Sequence, residues 1–274
     1  METLGLLAGI GHLPVDVAQS AKKLGYKVVA IAVVADTDPE LPENVDVFYT
    51  INVGKVGKIL QTLKQHGVKD VTMIGKVTKE VLYKNGVVVP DLTTIRVLAS
   101  LPDRKDDTIM NAIVKLIEDT GMHVMDQTVL IQPLLPEPGV LTRRKPTEQE
   151  WKDMQFGFRM AKELGRMDIG QTVVVKNRAV MALEAIEGTD ACILRGGFLG
   201  KGGVIVAKTA KPVQDTRFDM PSIGTTTLTS MIHAGATGIV IEAGRTLLVD
   251  RQHTLAMAEE KGITIVSMAE SDLE

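Results

Sequence analysis

Residues 4–14 read Leu-Gly-Leu-Leu-Ala-Gly-Ile-Gly-His-Leu-Pro. The apolar run Leu4–Ala8 breaks at Gly9 and Gly11 and meets Pro14 at the head of a periodic segment. Val15, Ala18, Ala21 and Leu24 then recur at helical spacing and stop at Gly25. Strand, tight glycine turn and helix follow one another within some twenty residues, and the pattern repeats. Val28–Val34 reads as a second buried strand, Val56–Leu63 as a helix ending near Gly67, and Val71–Ile74 as a third strand ending at Gly75. A further helix is expected over Thr108–Glu118, with Ile109, Ile113 and Ile117 on one face. Short buried strands alternating with helices predict a Rossmann-like, mostly parallel sheet covered by helices.

The prolines at 133, 136, 138 and 146, with Gly139, make 132–147 the best linker in the chain. Thr147 and Glu150 then form a capping-box pattern for a helix running to about Leu164. Beyond it, Thr172–Val175 and Val180–Leu183 flank a hairpin turn at Lys176-Asn177-Arg178. Val204–Ala207, Gly238–Ile241, Leu247–Val249 and Ile263–Val266 read as strands. The expected organisation is an N-terminal α/β domain over 1–131, a linker over 132–147 and a mixed C-terminal α/β domain over 148–274.

Composition excludes several classes. Aromatic residues are 3% and the net charge is −3, which argues against stacking platforms and basic surfaces for nucleic acid. A single cysteine, Cys192, rules out an internal disulfide and a cysteine zinc cluster, and fits a reducing cytosol. The N-terminus has no basic stretch followed by a long apolar one, so a signal peptide is not expected. No apolar run is long enough to span a bilayer. HExxH, GxSxG and CxxC motifs are missing, which leaves zinc-protease and serine-hydrolase chemistry without support.

Residues 211–224, Lys-Pro-Val-Gln-Asp-Thr-Arg-Phe-Asp-Met-Pro-Ser-Ile-Gly, are the most informative for function. Pro212 and Pro221 keep the run out of a helix interior. An extended 213–219 would put Asp215, Arg217 and Asp219 on one face, about 6.6 Å apart. The hydroxyl-rich stretch from Thr225 opens a helix that Gly235 would stop, and a helix start beside an acid and a base suits a phosphate. An exposed strand with solvated charges is the alternative.

Other candidates gather at predicted strand ends, where open parallel sheets bind ligands. Gly9, Gly11, Gly75 and Lys76 would share one edge. The spacing is neither GxGxxG nor a P-loop, so a tight turn without ligand is equally compatible. Asp106 opens a helix, as dipole compensation or as a polar wall. Glu187 and Asp190 sit in a run of three acids with Glu184, a pattern that suits a hard cation but also helix capping; Glu242 is another strand-end acid.

Taken together, these runs resemble the LpxI family, the UDP-2,3-diacylglucosamine pyrophosphatases of lipid A biosynthesis. The resemblance covers essentially the whole chain. It rests on 6–14, Gly-Lys-Val-Thr-Lys at 75–79, Lys-Asp-Asp at 105–107 and Arg-Met-Asp-Ile-Gly-Gln at 166–171. It continues through Ala-Ile-Glu-Gly-Thr-Asp at 185–190, the run 211–224 and Glu-Ala-Gly-Arg at 242–245. It implies two α/β domains joined like a clamshell with substrate between them, and cleavage of the pyrophosphate to UMP and 2,3-diacylglucosamine 1-phosphate. It also implies attack by water on the sugar-side phosphorus, with support from magnesium. The family's essential aspartate falls on Asp219, as a ligand for the cation or as the group that orients water. Lys208, Lys211 and Arg217 are the implied phosphate contacts, with Thr189, Gln214 and Thr225 as further substrate contacts. Glu187, Asp190 and Glu242 are candidates for secondary metal ligands or for acids that support the ligands from behind, and Gly9, Gly11, Gly75, Lys76 and Asp106 for the opposite side of the site.

Peripheral contact with the cytosolic face of the inner membrane and a homodimer are further expectations. One departure is the short, glycine-rich stretch between Arg195 and Val204, which bears on acyl-chain length and lid behaviour. The competing reading is a nucleotide or nucleotide-sugar binding module that hydrolyses nothing, which needs only the glycine loop and the α/β pattern. An oxidoreductase is weakened by the missing GxGxxG.

Overall fold

The computed structural model describes residues 2–77, 90–103, 106–212, 215–218 and 220–273. The chain divides into two compact units, Met1–Ile131 with Thr216–Phe218, and Gln132–Asp215 with Asp219–Glu274.

The first unit is built on a parallel sheet of β1 (Thr3–Ala8), β2 (Lys27–Ala32), β3 (Val47–Thr50), β4 (Asp70–Ile74) and β5 (His123–Val124), in the order β3-β2-β1-β4-β5. Its helices are α1 (Leu13–Lys23), α2 (Val56–Gln65), α3 (Leu92–Ser100), α4 (Asp106–Glu118) and α5 (Thr128–Ile131). β1 is central because its side chains are buried on both faces: Leu4 and Leu6 are fully buried, and Leu7 packs with Val29, Ile31, Leu63 and Val71. The order reverses between β1 and β4, so their carboxyl ends form the switch point at which such sheets take ligands. β3 lies outside the sequence expectation. It is a half-exposed edge strand, although Val-Phe-Tyr-Thr-Ile at 47–51 is a β-prone run.

The second unit holds a mixed six-stranded sheet. Its strands are β6 (Gly139–Val140), β7 (Thr172–Lys176), β8 (Ala179–Leu183), β9 (Val204–Lys208), β11 (Ala236–Glu242) and β13 (Thr264–Met268), ordered β6-β13-β11-β9-β7-β8. β9, β11 and β13 run parallel, while β6, β7 and β8 pair antiparallel with their neighbours. β10 (Ser222–Ile223) and β12 (Leu247–Leu248) form a separate parallel pair. Alternation along the strands splits the core in two. Val173, Val175, Ile205, Ala207 and Val240 pack under α6 (Glu148–Arg166) against Met154 and Phe158. Val174, Val204, Val206, Ile239 and Ile241 face α7 (Thr189–Gly200), α8 (Thr225–Ala234) and α9 (Arg251–Lys261).

Two stretches take their place from packing. The proline-rich stretch 132–147 is built into the second unit: β6 pairs with β13, and Arg144 binds Glu150 at 2.7 Å. The glycine-rich stretch after Arg195 is mostly helix. Gly196, Gly197 and Gly200 lie on the inner face of α7, where a Cβ would meet Val174 Cβ at 2.5 Å, Ala234 O at 2.4 Å and Val204 Cγ1 at 2.4 Å. Close approach of backbone to sheet requires those glycines.

Two further contacts have measurable consequences. Asn177 and Arg178 both adopt positive φ in the β7–β8 turn, and the buried Asp153 carboxylate accepts their amides at 2.9 and 2.7 Å. Asp153→Ala leaves both amides unpaired and should cost about 2–3 kcal/mol in urea unfolding. Burial pushes the Cys192 thiol up to about 12. The unfolded chain releases that proton near pH 9.0, so between these values the folded state binds more protons and stability falls as pH rises. Native protein at about pH 8.5 should leave Cys192 unalkylated by iodoacetamide, whereas urea-unfolded protein should be alkylated.

Candidate functional site

At the switch point of the first unit, two glycine loops are joined backbone to backbone. The Gly9 amide donates to Ile74 O at 2.8 Å, the Ile10 amide to Lys76 O at 2.9 Å and the Lys76 amide to Ile10 O at 3.0 Å. A Cβ on Gly9 would sit 2.7 Å from Lys76 O, and Gly75 has φ +94°. Gly11, at φ +101°, bridges to Thr37. Gly9, Gly11, Gly75 and Lys76 thus share one edge, next to the start of α1. His12 Nδ1 lies 2.9 Å from Asp38 Oδ2. Burial opposes ionisation of Asp38, but the Glu40 amide and His12 outweigh it and hold the carboxyl below its usual range. Asp106 is the first residue of α4.

The charged run departs from the extended reading. Thr216, Arg217 and Phe218 form a turn that belongs to the first unit. The reason is a set of hydrogen bonds from Asp126 and Gln127. The Gln127 amide donates to Thr216 O at 3.1 Å, and Gln127 Nε2 donates to both Arg217 O at 3.1 Å and Met73 O at 2.5 Å. Thr216 Oγ1 donates to Asp126 Oδ2 at 2.6 Å, and Phe218 packs on the core beneath. Arg217 reaches Asn111 at 3.4 Å and Glu118 at 4.0 Å. Asp219 is the next residue in the chain; it and Gln214 lie outside the described residues. Sequence reading missed Asp126 and Gln127. The available signal was the Asp-Gln-Thr helix start at 126–128, where Asp126 caps Thr128 at 2.8 Å.

In the second unit, polar groups collect where β9 and β11 end. Lys208 is buried and donates to Ser222 O at 2.8 Å. Lys211 pairs with Asp168 at 2.7 Å. Glu242 is buried, with one oxygen on Lys162 Nζ at 2.8 Å and the other accepting the Ala210 amide at 2.8 Å. The fully buried hydroxyls of Thr209 and Thr246 have no hydrogen-bond partner among the described residues. Thr189 opens α7 and donates to Glu184 at 3.0 Å, Asp190 accepts from Ser230 at 2.9 Å, and Glu187 is paired with Arg195. The Glu187 carboxyl lies below its usual range because its own amide and Arg195 favour the charged form. Thr225 opens α8 behind Gly224, with no side-chain cap.

Glu187, Asp190 and Glu242 do not assemble as one set of cation ligands. Each carboxylate is engaged separately, and Glu242 has both oxygens occupied. Among the described residues, the acids and imidazole whose ligand atoms lie within reach of one ion are His12, Asp38 and Glu40.

Fold and strand-end chemistry define a two-unit α/β protein with polar groups concentrated at the carboxyl edge of each sheet. The sequence matches the LpxI N-terminal domain over residues 3–134 and the LpxI C-terminal domain over residues 137–266, and the chain belongs to the LpxI family. It is 32% identical over 280 residues to the UDP-2,3-diacylglucosamine pyrophosphatase LpxI of Caulobacter vibrioides, covering 98% of each chain. A bifunctional purine biosynthesis protein PurH of Anoxybacillus flavithermus is 25% identical over 156 residues, 55% of this chain and 26% of that protein. Among solved structures, an ADP complex of N5-carboxyaminoimidazole ribonucleotide synthetase overlays with a TM-score of 0.28 at 14% identity, over 64% of this chain and 32% of the other. At that score the likeness says nothing about the site.

Gln127→Ala removes the side-chain anchor of the Thr216–Phe218 turn. Losing about 2 kcal/mol of hydrogen bonding should raise local opening roughly thirtyfold. Tryptic cleavage after Arg217 should accelerate accordingly, with the global unfolding midpoint changed much less.

Proposed function

We propose that this protein hydrolyses the pyrophosphate of UDP-2,3-diacylglucosamine to UMP and 2,3-diacylglucosamine 1-phosphate, a step of lipid A biosynthesis. The observation that carries this reading is the end-to-end match, both family domains in order and 32% identity over 98% of a pyrophosphatase. The oxygen of water bonds to the sugar-side phosphorus, the bond to the bridging oxygen breaks, and UMP leaves with that oxygen. The chain must spread the anhydride's negative charge, orient the water and stabilise the leaving phosphate. Lys208, Lys211 and Arg217 supply positive charge, and the starts of α7 and α8 at Thr189 and Thr225 present free amides. Asp219 is the proposed catalytic carboxylate, with Gln214 beside it in the run.

Magnesium belongs to the same reading, held by Asp219, and would neutralise pyrophosphate charge. Glu242, committed to Lys162 and the Ala210 amide, is a poor candidate to share it. Gly9, Gly11, Gly75, Lys76 and Asp106 are proposed substrate contacts of the first unit. Among the described residues no helix is long and apolar enough to cross a membrane. The substrate's acyl chains nevertheless imply peripheral contact with the cytosolic face of the inner membrane, and a homodimer is part of the same proposal.

Purified protein incubated with UDP-2,3-diacylglucosamine and magnesium should release both products in equal amounts. Asp219→Asn should lower kcat by about 10²–10³-fold while leaving UDP-sugar binding intact. No release across several divalent cations and acyl lengths would instead favour a binding module.

A further inference from the structure

Two charged side chains of the second unit are buried where its sheet ends. Lys162, near the carboxyl end of α6, and Glu242, the last residue of β11, are 6% and 5% exposed. Taking both charges out of water is costly, and an apolar pair of similar volume in their place is often neutral or stabilising. The pair is therefore weak evidence of a role in stability, and its other partners say more. Glu242 Oε1 faces Lys162 Nζ at 2.8 Å, while Oε2 accepts the buried Ala210 amide at 2.8 Å. Arg245, three residues on, approaches Glu242 Oε1 to 3.5 Å through Nη1 and donates from Nη2 to Lys211 O at 3.1 Å. Lys211 Nζ meets Asp168 at 2.7 Å, and Asp168 is held at φ +55°. Helix α6 also comes close to this point, since a Cβ on Gly165 would stand 3.4 Å from Lys211 Cα.

Ala210 and Lys211 are the residues through which the chain leaves β9 and enters the run 211–224. The Thr209 amide still bonds to a neighbouring backbone, at Gln171 O and 3.1 Å. Beyond it, side chains from the end of β11 take over. Glu242 holds the amide of one residue and Arg245 the carbonyl of the next. A donor and an acceptor fixed on successive residues set the direction of the chain, which neither bond would do alone. Pro212 follows, with φ held by its ring. The buried charge pair thus acts on the one stretch of backbone that leads into the charged run, and Lys162 serves by holding the Glu242 carboxylate in place.

We propose that Glu242 and Arg245 are positioning residues, which set the path of the chain into the run 211–224 and thereby the placement of the groups that run carries. For its effect on rate the proposal rests on the pyrophosphatase reading. Two double variants separate position from charge. Lys162→Met with Glu242→Leu removes both charges and the acceptor for the Ala210 amide. Lys162→Met with Glu242→Gln removes both charges and keeps an acceptor. Both should unfold near the wild-type midpoint. The leucine pair should lower kcat for UDP-2,3-diacylglucosamine about 100-fold, the scale of a misplacement of about 1 Å, with KM shifted less than about fivefold. The glutamine pair should keep kcat within about threefold of the wild type, at the same magnesium dependence. Arg245→Met should act in the same direction as the leucine pair if that pair folds poorly. Amide exchange, read without substrate, should be faster at Ala210 in the leucine pair and unchanged in the glutamine pair. Wild-type kcat in the leucine pair, or an equal loss in both pairs, overturns the proposal, and the second result assigns Glu242 a role through its charge. A wild type that releases no UMP overturns the pyrophosphatase reading instead. Ala210 exchange then decides the positioning role by itself, and equal rates in the two pairs overturn it.

Discussion

A strand buried on both faces can place a polar side chain only at its ends, and both units are organised by that constraint. β1, β9 and β11 are apolar along nearly their whole length. Their first chemically useful groups appear where the sheet runs out: the Gly9 loop after β1, Lys208 at the end of β9 and Glu242 at the end of β11. The starts of α1, α7 and α8 are brought to the same edges by the chain's need to return over the sheet. Glycine makes the edge usable, because the Gly9 and Gly75 loops approach closely enough to exchange backbone hydrogen bonds only if neither carries a Cβ.

The turn at Thr216–Phe218 follows a different logic. Prolines at 212 and 221 keep the run from closing its own hydrogen bonds as a helix, so its carbonyls need outside donors. Gln127 supplies them from a buried position, with its amide on one carbonyl and its side chain on the next. Three residues of a segment otherwise counted with the second unit are thereby fixed to the first.

Much of the fold was legible in sequence because it is written in periodicity. The β1–α1–β2 pattern, the Thr147–Glu150 capping box and the Asn177-Arg178 turn stand where local signals put them. What periodicity could not show was long-range. β6 exists only because β13 offers an edge, and the glycines of α7 give no helical signal until Val174 and Ala234 are seen to press against them. The same holds at the site. The glycine loops of β1 and β4 could be placed on one edge from strand ends alone. The turn at 216–218 could not be foreseen from alternation, because Asp126 and Gln127, ninety residues away, decide it.

The buried Lys162–Glu242 pair shows how a strand-end acid can order the backbone at the edge of a sheet. An isolated buried carboxylate would repel an anion nearby, and removing it from water is costly. With Lys162 on one oxygen and the Ala210 amide on the other, Glu242 is neutralised locally and fixes the backbone just past Lys208 and Thr209. Glu242 thus holds the strand end in place through Lys162 and the Ala210 amide.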